Sequence, residues 1–249
     1  MKSVQRKNSE NQLNYDLSVS DLMSALVLIF ILLLSTQLLE LKRQSSIAIE
    51  FSKTRMELLE ALKKEFPKSE LESWGAEIDP KELSIRFKGE ETIFLPESDI
   101  LRDQFKKTLD DFFPRYIAVL MRPEFINEID EIRIEGHTAN PDNKFSEKKG
   151  YSDSIRLSQS RANNVLFYIM NRLYEEDEQK RNTIAIKESK RKINWVQKHI
   201  SASGFAFAKP YPNEINPDWN SSRRVEFKIR TNTEKALQLI IEAAEGPAK

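Results

Sequence analysis

One carboxylate stands where carboxylates are rare. Asp21 falls in the stretch Val19 to Leu41, VSDLMSALVLIFILLLSTQLLEL, which is almost wholly apolar from Leu22 to Leu34 and largely apolar to Leu41. An acid at or inside the edge of a hydrocarbon layer is costly and by default functional. Desolvation at a helix interface raises its affinity for a proton. Such a group can bind and release an ion as access alternates between two sides. The other reading puts Asp21 in the first turn at the water boundary, where it complements the helix dipole. The residues alone leave both open. His137, one of 2 histidines, has no second ligand near it in sequence, so it reads as a loop-structuring residue and not a metal ligand or base. There is no cysteine, no G-x-S-x-G elbow, no H-E-x-x-H helix and no Walker A loop. The chain is therefore not expected to be an enzyme, and no cofactor is expected.

The element that carries Asp21 must be a helix. The run is roughly 20 residues long, enough for one crossing of a bilayer core, and no Gly or Pro interrupts it. It exceeds a secretory h-region and no A-x-A-like site follows, which favours an uncleaved anchor. Lys2, Arg6 and Lys7 before the span, against Lys42 and Arg43 after it, favour a cytoplasmic N-terminus. Ser20 with Ser24, and Asp21 with Ala25, lie one turn apart and form a small face on which another helix can approach closely. Leu22, Ile29 and Leu33 suit lipid or a hydrophobic neighbour. The remaining composition fits one soluble domain behind one anchor, with 39 basic and 39 acidic side chains and 39% hydrophobic residues. A net charge of zero gives no electrostatic reason to expect nucleic acid as a partner. Without cysteines, disulfides and thiolate metal sites are excluded.

The chain divides into a tail at 1–16, the span at 17–41, an amphipathic linker helix at 42–73 and a domain at 74–249. In the linker Ile47, Phe51, Leu58, Leu62 and Phe66 recur mostly at steps of three and four, up to Pro67. That stripe fits packing on its own domain, or pairing with a second copy, equally well. Beyond Trp74, Glu82 to Phe87 alternates as a strand, and Glu131 to Glu135 does the same up to Gly136. Further strands are expected within Ile200 to Phe207, near 203–207, and at Arg224 to Arg230. Helices are expected at Ile100 to Met121, with Pro114 as a point of kinking, at Ile155 to Tyr174, and at Glu234 to Ala244. Thr138 to Ser154 reads as a polar loop, and the charged run Glu175 to Lys192 as a solvated helix end or insertion. The expected fold class is α+β, a βαβαβ sandwich with one sheet covered by helices.

Four pieces in order resemble the OmpA-like peptidoglycan-binding domain across roughly Leu83 to Arg230. Ile132 to Thr138 (IRIEGHT) resembles that family's strand into its G-H-T-D loop. Leu157 to Ala162 (LSQSRA) resembles its L-S-x-x-R-A helix start. Gly204-Phe205-Ala206 with Pro210 resembles its G-x-G…P strand, and Arg223 to Phe227 (RRVEF) its R-R-V-E-I strand. The resemblance implies peptidoglycan binding through Thr138, Asn140, Leu157, Arg161 and Arg224, with Arg161 placed to meet a carboxylate bidentately. Ala206 stands where G-x-G has its second Gly, and two positions of the ligand site also depart from the pattern. The family's Asp after G-H-T, which holds the amine end of the diamino acid, is Ala139, with Asp153 as a replacement acid. The Asn that opens N-x-x-L-S is Ser154.

An OmpA-like domain behind one span resembles the B subunit of MotA/MotB-type stators. There the span begins A-D-F/L-x-T-A-M-M, and Ser20 to Leu26 (SDLMSAL) keeps the Asp, the hydroxyl residue and the Ala in register. Among stator relatives the chain most resembles B subunits of Zorya anti-phage systems. The resemblance implies that Asp21 carries the translocated ion, a proton or sodium ion. It also implies a multispan MotA-like A subunit ring, a second copy of this chain and peptidoglycan as partners. It places the chain in the bacterial inner membrane with a periplasmic domain. A flagellar-type stator subunit, or a passive anchor without transport, shares much of this plan.

Overall fold

The computed structural model describes residues 2–139, 148–212, 215 and 217–232, with side-chain surroundings from 22 onward except at 41, 43–52, 148 and 149. The chain forms two compact units, Met1–Glu50 and Phe51–Lys249. The first consists of helix, part of α1 (Lys2–Glu65). Within it Leu22–Glu40 is apolar enough to cross a membrane. Its 19 residues span about 28 Å at the α-helical rise, close to a bilayer's hydrocarbon thickness. Every residue of this stretch is exposed, as a lipid-facing helix requires. Two hydroxyls in its C-terminal half are satisfied within the helix, Ser35 Oγ donating to the Ile31 carbonyl at 2.7 Å and Thr36 Oγ1 to that of Leu33 at 2.8 Å.

The second unit is built on a five-stranded mixed sheet in the order β1-β2-β5-β3-β4. The strands are β1 (Ala76–Asp79), β2 (Ser84–Lys88), β3 (Ile129–His137), β4 (Ile200–Gly204) and β5 (Arg224–Thr231). Neighbours are antiparallel except β3 and β4. Those two are parallel and so need a long crossover. It consists of α5 (Lys148–Glu178) and α6 (Thr183–His199). The period-2 alternation of the strands sorts the faces. Ile85, Phe87, Ile132, Ile134, Val225, Phe227 and Ile229 enter one apolar core with α4 (Asp103–Leu120) and α5. Arg86, Glu131, Arg133, Glu135, Glu226 and Arg230 fall at the intervening positions and pair with one another. This is a mixed sheet with one helix-covered apolar face, as the alternation predicts.

Leu58, Leu59, Leu62 and Phe66 are buried in the same core. Phe66 packs on Phe112 at 5.3 Å between ring centroids. From Leu58 onward the linker stripe therefore serves its own domain; the side chains of Ile47 and Phe51 lie outside the described residues. Arg115 of α4 fixes the junction. It donates to Glu65 Oε1 at 2.9 Å, to the Glu65 carbonyl at 2.6 Å and to Glu70 Oε1 at 2.8 Å in α2 (Lys68–Ser73).

Several boundaries differ from expectation. β4 covers 200–204, not 203–207, because the chain turns at Phe205. The Ala208 N–H donates to the Phe205 carbonyl at 3.0 Å, and Ala206 takes a positive φ of 46°. α5 begins at Lys148, inside the expected loop, and runs to Glu178. α6 occupies much of the charged run. Its buried Ile193, Trp195 and Val196 sit at its C-terminal end, beyond the residues whose charge hid the helix. β1, four residues long, is too short to alternate visibly. Pro114 does not split α4, since Phe112, Phe113, Tyr116 and Ile117 on either side of it are all buried and packing overrides the lost donor. The expected helix at 234–244 lies outside the described residues.

Candidate functional site

Gly136 of β3 and Gly204 of β4 are register partners. Both are glycine because α5 presses on them. A Cβ on Gly136 would meet the Ser158 carbonyl at 2.2 Å, and one on Gly204 the Gln159 amide nitrogen at 2.4 Å. Side chains of α5 then satisfy the ends of the strands. Ser158 Oγ accepts from the Ala206 N–H at 3.0 Å, Gln159 Oε1 accepts from the Gly204 N–H at 2.8 Å, and Gln159 Nε2 donates to the Ala202 carbonyl at 3.2 Å. The Thr138 N–H donates to the Ala206 carbonyl at 2.7 Å. The G-H-T, L-S-Q and G-F-A motifs are thus a structural lock.

That lock turns the next residues of α5 onto the segment before α4. Ser160 Oγ bonds Asp99 Oδ2, and Asn164 Nδ2 donates to the Asp99 carbonyl at 2.9 Å. Between them Arg161 is 2% exposed. Its Nε donates to the Ser98 carbonyl at 3.0 Å, and its guanidinium lies 4.8 Å from the Phe94 ring centroid. Its Nη2 is bonded to Glu90 Oε1, on the four-residue α3 (Glu90–Ile93). The second oxygen of the same carboxylate, Oε2, lies 3.1 Å from Arg223 Nε. Two guanidiniums therefore flank one carboxylate. Paired planar cations of this kind suit a carboxylate, and here the carboxylate is the chain's own Glu90.

Arg224, the neighbour of Arg223, belongs to another network. Its Nε donates to Glu226 Oε1 at 2.5 Å, and its other nitrogens to the Ser222 and Lys209 carbonyls, each at 3.0 Å. Arg86, register partner of Glu226, reaches that carboxylate at 3.1 Å and Asp79 at 2.5 Å. Burial pushes the Glu226 carboxyl up, but the charges of Arg224, His137 and Arg86 outweigh it and hold the group down to about 2. His137 is buried, stacked on Phe205 at 5.4 Å, with Nε2 3.4 Å from Glu135 Oε2. Burial lowers its pKa, while Glu135 and Glu226 oppose that shift by favouring the protonated ring. A cleft of about 280 Å³ opens on this cluster beside Lys209 and Tyr211. Among the described residues, no group of three or more His, Asp or Glu is placed to hold a metal ion.

The expected site residues therefore separate. Arg161 is buried against Glu90; Thr138 is buried with Oγ1 unpaired. Leu157 is half-buried and Asp153 exposed, both on α5. Arg224 is locked in the sheet-face network, and Asn140 lies outside the described residues. Asp21 lies on α1, one residue before Leu22–Glu40, and its side-chain surroundings lie outside the described residues. Sequence reasoning missed Glu90 and Arg223 as a pair, and nothing in the local pattern of Glu90 marks it. It also missed Arg86 and Glu226, which the alternation in SIRFK and RVEFKIR places on the non-core face.

A larger cavity, about 960 Å³, lies among α2, β1 and α3 over Phe66, Leu71 and Ile78; none of the expected site residues lines it. No family model matches the chain. The chain is 32% identical over 253 residues to the Zorya protein ZorB of Escherichia coli, covering 97% of each. Among solved structures it is similar to a protein described as MotB-like from Desulfovibrio vulgaris, at 20% identity and TM-score 0.44. That overlap covers 72% of this chain and 96% of the other. It is similar to the periplasmic domain of Helicobacter pylori MotB at 14% identity and TM-score 0.37, with 66% and 94% covered. At these values the structural overlaps add nothing to the sequence relation.

Proposed function

The chain belongs to the ZorB family, and on that premise we propose that it is the B subunit of an ion-driven rotary motor in the bacterial inner membrane, serving anti-phage defence. A single span makes no pore by itself, so the motor requires a multispan MotA-like ring around two copies of this helix. The N-terminus is cytoplasmic and the domain periplasmic. The chain contributes no enzymatic step. Its domain ties the complex to peptidoglycan through a carboxylate of the peptide stem, received by Arg161. The observation that carries the transport reading is the placement of Asp21 directly before the exposed apolar stretch Leu22–Glu40. An acid there can load a proton, cross a helix interface in neutral form and unload on the other side.

Asp21→Asn tests it. The amide nearly preserves size and a capping group but has no titratable proton. The variant is expected to assemble in membranes and to lose phage protection, while Asp21→Glu retains part of it. If an assembled Asn variant protects fully, Asp21 only starts the helix, a role worth roughly 1 kcal/mol or less, and the chain is a passive anchor.

A further inference from the structure

We propose that Glu90 is a built-in competitor for the carboxylate receptor: it occupies the position between Arg161 and Arg223 that a ligand carboxylate takes, and binding proceeds by exchange. The inference rests on the wall-binding reading above and adds its regulation. Three observations carry it. First, both oxygens of Glu90 face guanidiniums, Oε1 hydrogen-bonded to Arg161 and Oε2 paired by charge with Arg223 Nε at 3.1 Å, so Glu90 already stands where a second carboxylate would have to sit. Second, the anchorage of the two partners is unequal. Arg161 is held independently by the Ser98 carbonyl and the Phe94 ring, and stays in position when Glu90 leaves. Glu90 opens a four-residue helix behind Gly89, whose φ of 85° is closed to most side chains. Third, the Glu90 side chain keeps 19% exposure while that of Arg161 keeps 2%. Glu90 is therefore the partner on the solvent side, and rotation of its side chain opens the receptor without disturbing the core. Exchange replaces one carboxylate by another, so the buried guanidinium is never left unpaired, which is the costly alternative.

The test is co-sedimentation of the detergent-solubilised full-length protein with purified peptidoglycan sacculi. Glu90→Gln removes the competing charge and is expected to tighten binding about tenfold, equivalent to about 1.4 kcal/mol. Glu90→Asp, with a shorter reach, should give a smaller gain. Arg161→Ala should abolish binding in either background. Melting temperatures without sacculi report whether each variant is folded. If folded Glu90→Gln binds as the parent does or more weakly, while Arg161→Ala still abolishes binding, Glu90 is a structural partner and the competitor role is wrong. If neither the parent nor Glu90→Gln sediments, the wall-binding reading itself fails. Binding by Glu90→Gln alone is the strongest support.

Discussion

Arg223 and Arg224 are adjacent in sequence and make opposite kinds of ion pair. Arg224 enters a closed network on the sheet face, where Glu226 is shared with Arg86, Arg86 is shared with Asp79, and the remaining nitrogens of Arg224 are taken by two backbone carbonyls. Strand register fixes these positions, since Arg86 and Glu226 are paired residues of β2 and β5. Arg223 meets Arg161 across one carboxylate that comes from a four-residue helix. The first network is over-determined: losing one member strands several others in a buried place. The second depends on a single exchangeable side chain. A buried pair that is hard to leave contributes specificity of structure, and one that is easy to leave can serve a ligand.

The largest effect should come from the sheet face. Holding Glu226 at about 2 rather than its ordinary 4.5 corresponds to about 3 kcal/mol of folding stability at neutral pH. Glu226→Gln should lose roughly that amount in denaturant or thermal unfolding. A loss under about 1 kcal/mol would show that Arg224 and Arg86 do not depend on the charge.

The same energy should be visible in an acid titration of the parent and Glu226→Gln proteins. The folded-state pKa is depressed, so this contribution is fully present above about 4.5 and is lost as pH falls through about 2. The stability gap between the two proteins should therefore narrow over that window, reaching about half near pH 3. His137 has the reverse logic. Its pKa is lowered by burial, so the unfolded chain binds the proton more readily, and stability falls as pH drops below the ordinary 6.5 towards the folded value. The Glu226 charge favours the protonated ring, so this loss is larger in Glu226→Gln, and the gap widens somewhat below pH 6.5 before it narrows through the acid window. A gap that stays constant down to pH 2 would overturn the assignment to Glu226.

The legibility of the chain divides along similar lines. The long apolar helix was readable because its character depends on composition over about 20 residues, which a sequence displays directly. Strands β2, β3 and β5 were readable because one face is apolar and the other charged. The Gly136–Gly204 contact with α5 was readable only as a motif, since nothing local says what a Cβ would strike. Ala206 is a related case: the motif has glycine there, and the positive φ explains why. α6 was missed because its buried residues gather at its C-terminal end. Glu90 was not readable at all. Its role comes from a pairing across 71 positions with Arg161, and neither its neighbours nor its residue type announces that.

The smallest expected effect is the one that separates the two networks. Glu90→Gln keeps an oxygen able to accept from Arg161 or Arg223 but removes the charge that both share. Arg161 retains the Ser98 carbonyl and the Phe94 ring, and Arg223 retains its bond to the Asn220 side chain. The cost should be about 1 kcal/mol, near the value of one hydrogen bond in a partly solvated place, against about 3 kcal/mol for the same change at Glu226. Unfolding of both Gln variants side by side measures the difference. Equal losses would mean that Glu90 is as deeply committed to the fold as Glu226, and a side chain so committed is a poor candidate for exchange. A small loss at Glu90 with a large one at Glu226 is what a removable carboxylate beside a fixed one requires.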